Sequence, residues 1–201
     1  MIGGMIKAIL FDLGGVLFTD GTKQFIAYLH DELGVDAQQS SNLLSGQLGS
    51  QYREGKIGRN KFWETFKQEL DLTASEDELE QNWISGYRLN EATKSLIQEL
   101  SRRYDVYYLS DNVQERIDVI ESKYHFLNLF KDGIFSHVVG VRKPNPRIYK
   151  LALEKVGAEP SEVVFIDDKA SALEPARELG MKTILFEDAE TVRQKLAQMG
   201  V

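Results

Sequence analysis

The pattern of hydrophobic and polar positions changes twice along the chain. Near the start, Ala8-Ile9-Leu10-Phe11 form a continuous apolar run, which is typical of a strand buried on both faces of a parallel sheet. From residue 19 to about residue 89, apolar positions recur at helical spacing and no convincing strand is found. From residue 90 onward, helical patterns alternate with short apolar runs. We therefore predict an α/β core domain formed by residues 1–18 and 90–201, with an all-helical cap domain inserted at residues 19–89.

The individual elements follow from the same periodicities. In the cap we predict helices at residues 24–33, 40–52 and 75–86, and another that begins after an N-cap at Asn60. In the second core segment we predict strands at 106–109, 133–139, 162–166 and 182–186, and helices at 92–104, 113–124, 147–156, 173–179 and 191–199. Strands separated by helices indicate a doubly wound, Rossmann-like parallel sheet, in which right-handed crossovers bring all strand C-termini to one edge.

Polar residues stand at this edge. Asp12 follows the first strand, Ser110 follows the second, and Asp167 and Asp168 follow a third, while the loop after another strand carries Lys143. Carboxylates that lie close together repel one another unless a cation neutralises them. Hard oxygen ligands favour Mg²⁺, which often bridges to a phosphate. The topology therefore predicts a metal and phosphate site here.

The residue types also suggest a reaction. A lysine is a point charge suited to a phosphoryl group, and Ser110 and the backbone amides of Gly14 and Gly15 can donate hydrogen bonds to phosphate oxygens. An aspartate that attacks phosphorus forms an aspartyl-phosphate. Each residue has an alternative interpretation, because Asp12 could cap a turn, Ser110 could end a strand, and Lys143 could be a solvated surface charge.

The sequence resembles the haloacid dehalogenase superfamily, whose members are mostly Mg²⁺-dependent phosphatases. Four short motifs occur in the family's order: FDLGGVL from Phe11, LSDN from Leu109, RKPNPRIY from Arg142 and FIDD from Phe165. The helical insertion resembles the family's C1-type cap. The DLGG form of the first motif is similar to that of sugar-phosphate phosphatases, including those that act on glucose 1-phosphate.

The resemblance implies a role for each matching residue. Asp12 is expected to be the nucleophile and a metal ligand, and Asp168 a direct metal ligand. The remaining expectations are Ser110 as a phosphate-oxygen donor, Lys143 as the orienting charge, the Gly14 carbonyl as a metal ligand, Asp167 in an outer role at the metal, and Asn112 as a substrate contact.

Two positions depart from the family pattern. Phosphatases of this family usually carry a second aspartate two residues after the nucleophile, which protonates the leaving oxygen and later activates water. Here that residue is Gly14, so a water molecule, the substrate or Asp20 would have to transfer the proton. Relatives also often carry an asparagine where this chain has Ala172. We therefore expect fewer hydrogen bonds from neighbouring side chains to the metal ligands.

Composition narrows the possible partners and locations. The net charge of −7 argues against nonspecific nucleic-acid binding, and no apolar run approaches the length of a membrane span. The absence of cysteine excludes disulfides and thiolate zinc sites and is compatible with a cytoplasmic location. The oligomeric state is left open. The three histidines, His30, His125 and His137, are not spaced as metal ligands, and we expect them to be structural. We expect the two tryptophans, Trp63 and Trp83, to pack in the cap interior and not to contact substrate.

We therefore expect a Mg²⁺-dependent phosphomonoester hydrolase that acts on a small phosphorylated metabolite, such as a sugar phosphate, through an aspartyl-phosphate. One alternative is a 2-haloacid dehalogenase, which needs no metal; the Asp167–Asp168 pair argues against it. The other is a phosphate-binding regulatory module that has lost turnover through Gly14.

Overall fold

The computed structural model describes residues 5–201, so residues 1–4 of the predicted core domain lie outside the described residues. The five strands of the described chain form one parallel sheet. They are β1 (Ala8–Phe11), β2 (Asp105–Ser110), β3 (Asp132–Phe135), β4 (Val163–Asp167) and β5 (Lys182–Leu185). Their order across the sheet is β3-β2-β1-β4-β5, which places β1 at the centre.

The helices of the described chain are α1 (Gly21–Asp31), α2 (Ala37–Ser45), α3 (Gln47–Arg53), α4 (Arg59–Glu69), α5 (Glu76–Ser85), α6 (Glu91–Leu100), α7 (Gln114–Tyr124), α8 (Ser136–Val139), α9 (Pro146–Val156), α10 (Ala170–Glu178) and α11 (Ala189–Gln198). Helices α6, α7 and α11 cover one face of this sheet, and α9 and α10 cover the other. Two short 3₁₀ turns lie at Phe126–Leu129 and Pro160–Glu162. The predicted α/β fold with a Rossmann-like parallel sheet is confirmed.

The alternation of side chains along β1 explains why the sheet needs cover on both faces. Ile9 and Phe11 belong to a buried cluster with side chains of α6, α7 and α11, whereas Ala8 and Leu10 pack with side chains of α9 and α10. All four residues are at most 1% exposed. Burial of a large aliphatic or aromatic side chain contributes about 1.5–3 kcal/mol, so an unbroken apolar run is required for this strand.

Helices α1–α5 lie between β1 and α6 in sequence, as predicted for the insertion. Their interior includes Phe25, Phe62, Phe66, Trp63 and Trp83, which are all at most 1% exposed and pack against one another in stacked and edge-to-face pairs. The two tryptophans therefore pack in the interior, as the sequence indicated. The chain enters and leaves this helical segment at one place, where Phe18 and Leu89 form an antiparallel bridge. A separate cap domain with boundaries at 19 and 89 stays a prediction.

Three predicted elements were wrong in detail. The helix predicted at 40–52 is two helices, because the chain is extended at Gly46, where a Cβ atom would collide with the Asn42 carbonyl oxygen. The strand predicted at 133–139 stops at Phe135, because the Ser136 side chain bonds the backbone of other segments and a helical turn begins there. Asn60 is not an N-cap, since α4 begins at Arg59.

No helix within residues 5–201 combines the length and apolar character needed to cross a membrane.

Candidate active site

The central strand carries Asp12 to the C-terminal edge of the sheet. The backbone N–H of Asp12 donates to the carbonyl oxygen of Ile166 over 2.9 Å, which continues the β1–β4 ladder past the end of β1. Asp167 is the last residue of β4, and Ser110 is the last residue of β2. The predicted convergence of these side chains at one edge is therefore a property of the strand order.

Lys143 joins the two central strands at this edge. Its ammonium nitrogen lies 2.9 Å from an Asp12 carboxylate oxygen and 2.6 Å from an Asp167 carboxylate oxygen. It also donates to the carbonyl oxygen of Leu109 over 3.2 Å. Lys143 is 6% exposed and Asp167 is fully buried. A single cation therefore neutralises part of a buried acidic cluster.

The third carboxylate of this cluster belongs to Asp168. Asp12, Asp167 and Asp168 each offer an oxygen atom within 4.8 Å of the others. Asp168 Oδ1 is buried without a hydrogen-bond partner among the described residues. A buried carboxylate oxygen without a partner is costly, and a divalent cation held by this cluster would remove that cost. Within residues 5–201 this is the only such grouping of three His, Cys, Asp or Glu side chains, and it contains no histidine.

The pKa values reflect this crowding of negative charge. Burial raises the pKa of Asp12 to about 7; the attraction of Lys143 opposes the rise, and repulsion from Asp167 and Asp168 adds to it. Burial also raises the pKa of Asp168 above its ordinary value. Burial alone would lower the pKa of Lys143, but Asp12 and Asp167 raise it, so this side chain stays charged. Lys143 binds two of the three carboxylates and Lys169 attracts the third, so three carboxylates against two cations leave negative charge that a metal ion can balance.

Gly15 shapes the space that Asp168 occupies. Its backbone has a φ of +85°, which favours glycine, and a Cβ atom there would collide with the Asp168 carboxylate. Gly14 is less crowded than Gly15, because a Cβ atom at Gly14 would lie 3.5 Å from Cε1 of Tyr87, which is an ordinary van der Waals contact. Tyr87 thus lies beside the position where the family usually has a second aspartate.

Asp111 positions the loop that carries Lys143, and sequence reasoning missed it. One carboxylate oxygen accepts from the backbone N–H of Lys143 over 3.1 Å, and the other accepts from Arg142 Nε over 3.2 Å. The signal in the sequence was its place between Ser110 and Asn112 in the second motif. Ser110 itself is 1% exposed and lines the same cavity as Lys143.

Asn112 is largely committed to the protein itself. Its Oδ1 accepts from the backbone N–H of Val113 and from Arg116 Nη1, both over 3.0 Å. Its backbone carbonyl faces Nδ1 of His137 at 2.8 Å. Asn112 lines the cavity. Its predicted substrate contact, which stays a prediction, would have to use the side-chain nitrogen.

A cavity of about 350 Å³ lies over the acidic cluster. Its wall from the sheet edge includes Asp12, Gly14, Ser110, Lys143 and Asp167. The opposite wall comes from the helical insertion and the chain that leaves it, and its polar members are Asp20, Thr22, Lys23, Ser41, Ser45, Arg53 and Tyr87. Only two apolar side chains of the insertion, Ile26 and Leu44, contribute. The cavity is therefore suited to a small polar molecule with a negatively charged end.

Four cationic side chains that line this cavity were not predicted to do so: Lys23, Arg53, Arg142 and Lys169. Arg53 is buried, and its Nη1 donates to the carbonyl oxygens of Leu44 and Gly49 over 2.6 and 3.3 Å. Burial, with repulsion from Arg116 and Arg142, lowers its pKa to about 10. Lys169 follows Asp168 directly; burial alone would lower its pKa, but attraction to Asp168, Asp12 and Asp20 together raises it. The Arg53 guanidinium also lies 5.7 Å from the ring centroid of Trp83, and no local pattern in the sequence indicates that contact.

Ala172 lies in the same cavity wall. It is buried, and its carbonyl oxygen accepts from the Tyr149 hydroxyl over 2.6 Å. Its methyl group offers the acidic cluster no hydrogen bond, in agreement with the departure from the family pattern noted in the sequence.

Comparison with known proteins adds independent information. The family model described as haloacid dehalogenase-like hydrolase matches residues 6–180. D-ribitol-5-phosphate phosphatase of Bacteroides thetaiotaomicron is 29% identical over 203 residues, which cover 96% of this chain and 97% of that protein. A sesquiterpene phosphatase of Aspergillus oryzae is 25% identical over 196 residues and 96% of both chains.

Some relatives are much longer. The chain matches bifunctional epoxide hydrolase 2 of Sus scrofa over 61 residues at 51% identity and spans only 11% of its length.

A solved structure shares the fold. The crystal structure of a haloacid dehalogenase family enzyme from Bacteroides thetaiotaomicron, in complex with magnesium and inorganic phosphate, superposes with a TM-score of 0.75. The sequence identity is 25%, and the match covers 91% of this chain and 96% of that chain. The family model, the phosphatase relatives and this fold agree with the motif order, so the chain belongs to the haloacid dehalogenase-like hydrolase family and is a hydrolase of the phosphatase type.

Proposed function

We propose that this chain hydrolyses phosphomonoesters of small polar metabolites with Mg²⁺ as cofactor and an aspartyl-phosphate as intermediate. The observation that supports the proposal best is the buried cluster of Asp12, Asp167 and Asp168, which is only partly neutralised by Lys143. A relative is a D-ribitol-5-phosphate phosphatase, and a similar structure was solved with magnesium and inorganic phosphate.

The donor set fits Mg²⁺. The candidate ligands are carboxylate oxygens, which suit a hard cation, and Asp168 Oδ1 lacks any partner among the described residues. Asp12, Asp168 and the backbone carbonyl of Gly14 would hold the ion, and Asp167 would support it from an outer position. When bound, Mg²⁺ supplies positive charge that balances the phosphoryl group and the carboxylates.

Each of the remaining residues of the site has a separate role in the proposed reaction. In the proposal, an Asp12 carboxylate oxygen attacks phosphorus, while Lys143 holds that carboxylate in place and offers its charge to a phosphoryl oxygen. Ser110 and the amides of Gly14 and Gly15 donate hydrogen bonds to the remaining phosphoryl oxygens. Water attack on the aspartyl-phosphate would then release inorganic phosphate and restore Asp12.

The helical insertion is proposed to act as a cap over the organic part of the substrate. Its contribution to the cavity wall consists mainly of hydroxyl groups and cations, as in Thr22, Ser41, Ser45 and Arg53. These groups favour a hydroxylated metabolite, such as a polyol or sugar phosphate, over an apolar one. Exclusion of water by the cap would strengthen the electrostatic interactions at the acidic cluster.

A phosphatase panel tests the proposal. Purified protein would be assayed with p-nitrophenyl phosphate, D-ribitol 5-phosphate, glucose 1-phosphate and glycerol 3-phosphate, with Mg²⁺ and with a chelator. We expect Mg²⁺-dependent release of phosphate that Asp12→Asn abolishes. Asp105→Asn is the matched control, because Asp105 pairs with Ala8 at the opposite end of β1 and forms a surface ion pair.

The panel also distinguishes the two alternatives. Turnover of 2-haloacids without a metal would favour a dehalogenase. Mg²⁺ binding without turnover of any ester would favour the regulatory module, for which the missing side chain at Gly14 is the specific argument.

A further inference from the structure

The proposed reaction lacks a group that donates a proton to the leaving oxygen. Gly14 has no side chain, and the carboxylates that line the cavity are Asp12, Asp20, Asp111 and Asp167. Three of them are already committed. Asp12 and Asp167 bind Lys143, and Asp111 binds Arg142 and the backbone of Lys143.

Asp20 differs from these three. Within residues 5–201, no lysine, arginine or histidine nitrogen lies within 4.0 Å of its carboxylate, and its only hydrogen bond comes from the backbone N–H of Lys23, 3.1 Å from Oδ1. Its second oxygen, Oδ2, makes no hydrogen bond to the described residues. Asp20 is half-buried and lines the cavity. Its Oδ2 is therefore not committed to the protein and can contact a bound molecule.

The backbone holds Asp20 in a defined position. It is the N-cap of α1, and the preceding residue, Thr19, donates its N–H to the Arg88 carbonyl over 2.9 Å. Asp20 is also near the acidic cluster. Among the influences on the pKa of Asp168, burial is the largest, and the negative charge of Asp20 also raises it.

We propose that Asp20 is the general acid and base of this enzyme, in place of the side chain that Gly14 lacks; this inference rests on the proposed phosphatase function. In the first step Asp12 forms a bond to phosphorus, the bond from phosphorus to the leaving oxygen breaks, and protonated Asp20 gives its proton to that oxygen to release an alcohol. In the second step the Asp20 carboxylate takes a proton from the water that attacks phosphorus. The bond between phosphorus and Asp12 breaks, and inorganic phosphate leaves.

The substitution Asp20→Asn separates this role from the structural one. Asparagine caps helices as well as aspartate, so α1 keeps its N-cap while the acid is lost. Asp36→Asn is the matched control, because Asp36 caps α2 in the same way, with Oδ1 2.8 Å from the Gln39 nitrogen, but is exposed and does not line the cavity. Asp20→Ser, which also retains a capping oxygen, serves as a second variant.

The readout is the dependence of rate on the leaving group. With the best polyol or sugar phosphate of the panel, we expect Asp20→Asn to lower kcat/KM by about 10²–10⁴-fold, the usual contribution of a general acid. With p-nitrophenyl phosphate, whose leaving group needs no proton, kcat/KM should change less than about tenfold. Its kcat should still fall, because the second step loses its base, and a burst of p-nitrophenol with acid-stable phosphoenzyme should appear. Asp36→Asn should behave like the parent with both esters.

Two results would overturn the assignment of Asp20 alone: an unchanged kcat/KM with both esters, or an equal loss with both. Absence of turnover by the parent chain would instead overturn the proposed function, and this inference with it.

Discussion

Replacement of Lys143 by methionine should lower the free energy of unfolding far more than replacement of a surface lysine. Methionine keeps most of the apolar length of the side chain, so the change chiefly removes the ammonium group. Lys143 is 6% exposed and lies 2.9 and 2.6 Å from the carboxylates of Asp12 and Asp167. Loss of one partner from a buried ion pair leaves an uncompensated buried charge and costs about 3–5 kcal/mol. We therefore expect the free energy of unfolding of Lys143→Met to fall by that amount.

Lys155→Met provides the control at equal distance. Lys155 lies 2.6 Å from Asp132, but the two side chains are 37% and 51% exposed. An exposed pair contributes about 0.2–1 kcal/mol, so the two variants should differ by at least about 2 kcal/mol. The measurement is urea unfolding at neutral pH in the presence of a chelator, with the slope of the transition compared between variants. Equal losses of stability in the two variants would refute the reasoning that burial, and not distance, sets the strength of this ion pair.

Two further substitutions test the metal site and the interior of the helical insertion. Gly15→Ala should weaken Mg²⁺ binding by about 10–100-fold, because the new methyl group displaces Asp168. The control is Gly157→Ala, at φ +68° with open space around it, which should lose only the backbone cost of about 1–2 kcal/mol that both variants have in common. The Mg²⁺ concentration for half-maximal activity measures the metal effect and urea unfolding measures the backbone cost; equal Mg²⁺ requirements of the two variants would contradict the prediction for Gly15. Trp83→Ala should lower the free energy of unfolding by about 3–5 kcal/mol, because Trp83 is 1% exposed and the Arg116 guanidinium lies 3.9 Å from its ring centroid. Thermal or urea unfolding measures this change, and a loss under about 1 kcal/mol would contradict the prediction.

The sequence was most informative where local pattern and topology agree. The run Ala8–Phe11 predicted β1 because a strand covered on both faces requires apolar residues at every position. The convergence of Asp12 and Asp167 followed from the rule that parallel strands share a C-terminal edge. The topology also placed the loop of Lys143 at this edge, but only the family resemblance favoured a role in the site over a solvated surface charge, because a lysine before a proline in a loop has no pattern of its own.

The sequence was less informative where tertiary contacts decide the backbone. The apolar residues after Ile134 fit a strand, but Ser136 donates to the carbonyl oxygen of Arg53, 83 residues away, and the chain turns there. The placement of Arg53 also depends on a distant contact, because its guanidinium lies 5.7 Å from the ring centroid of Trp83, 30 residues away. No periodicity within a window of adjacent residues can report such pairings.

The central place of β1 has a consequence for how this molecule can change over generations. Both edges of β1 are hydrogen-bonded, so the amides of Ile9, Leu10 and Phe11 should exchange their hydrogens only when the whole sheet opens. The part of the cavity at the end of β1, which includes Asp12, is thus as stable as the sheet itself. The facing wall comes from helices whose cavity residues, such as Lys23, Ser41 and Ser45, take no part in the sheet. Selection can therefore alter what the pocket accepts without disturbing the chemistry beneath it.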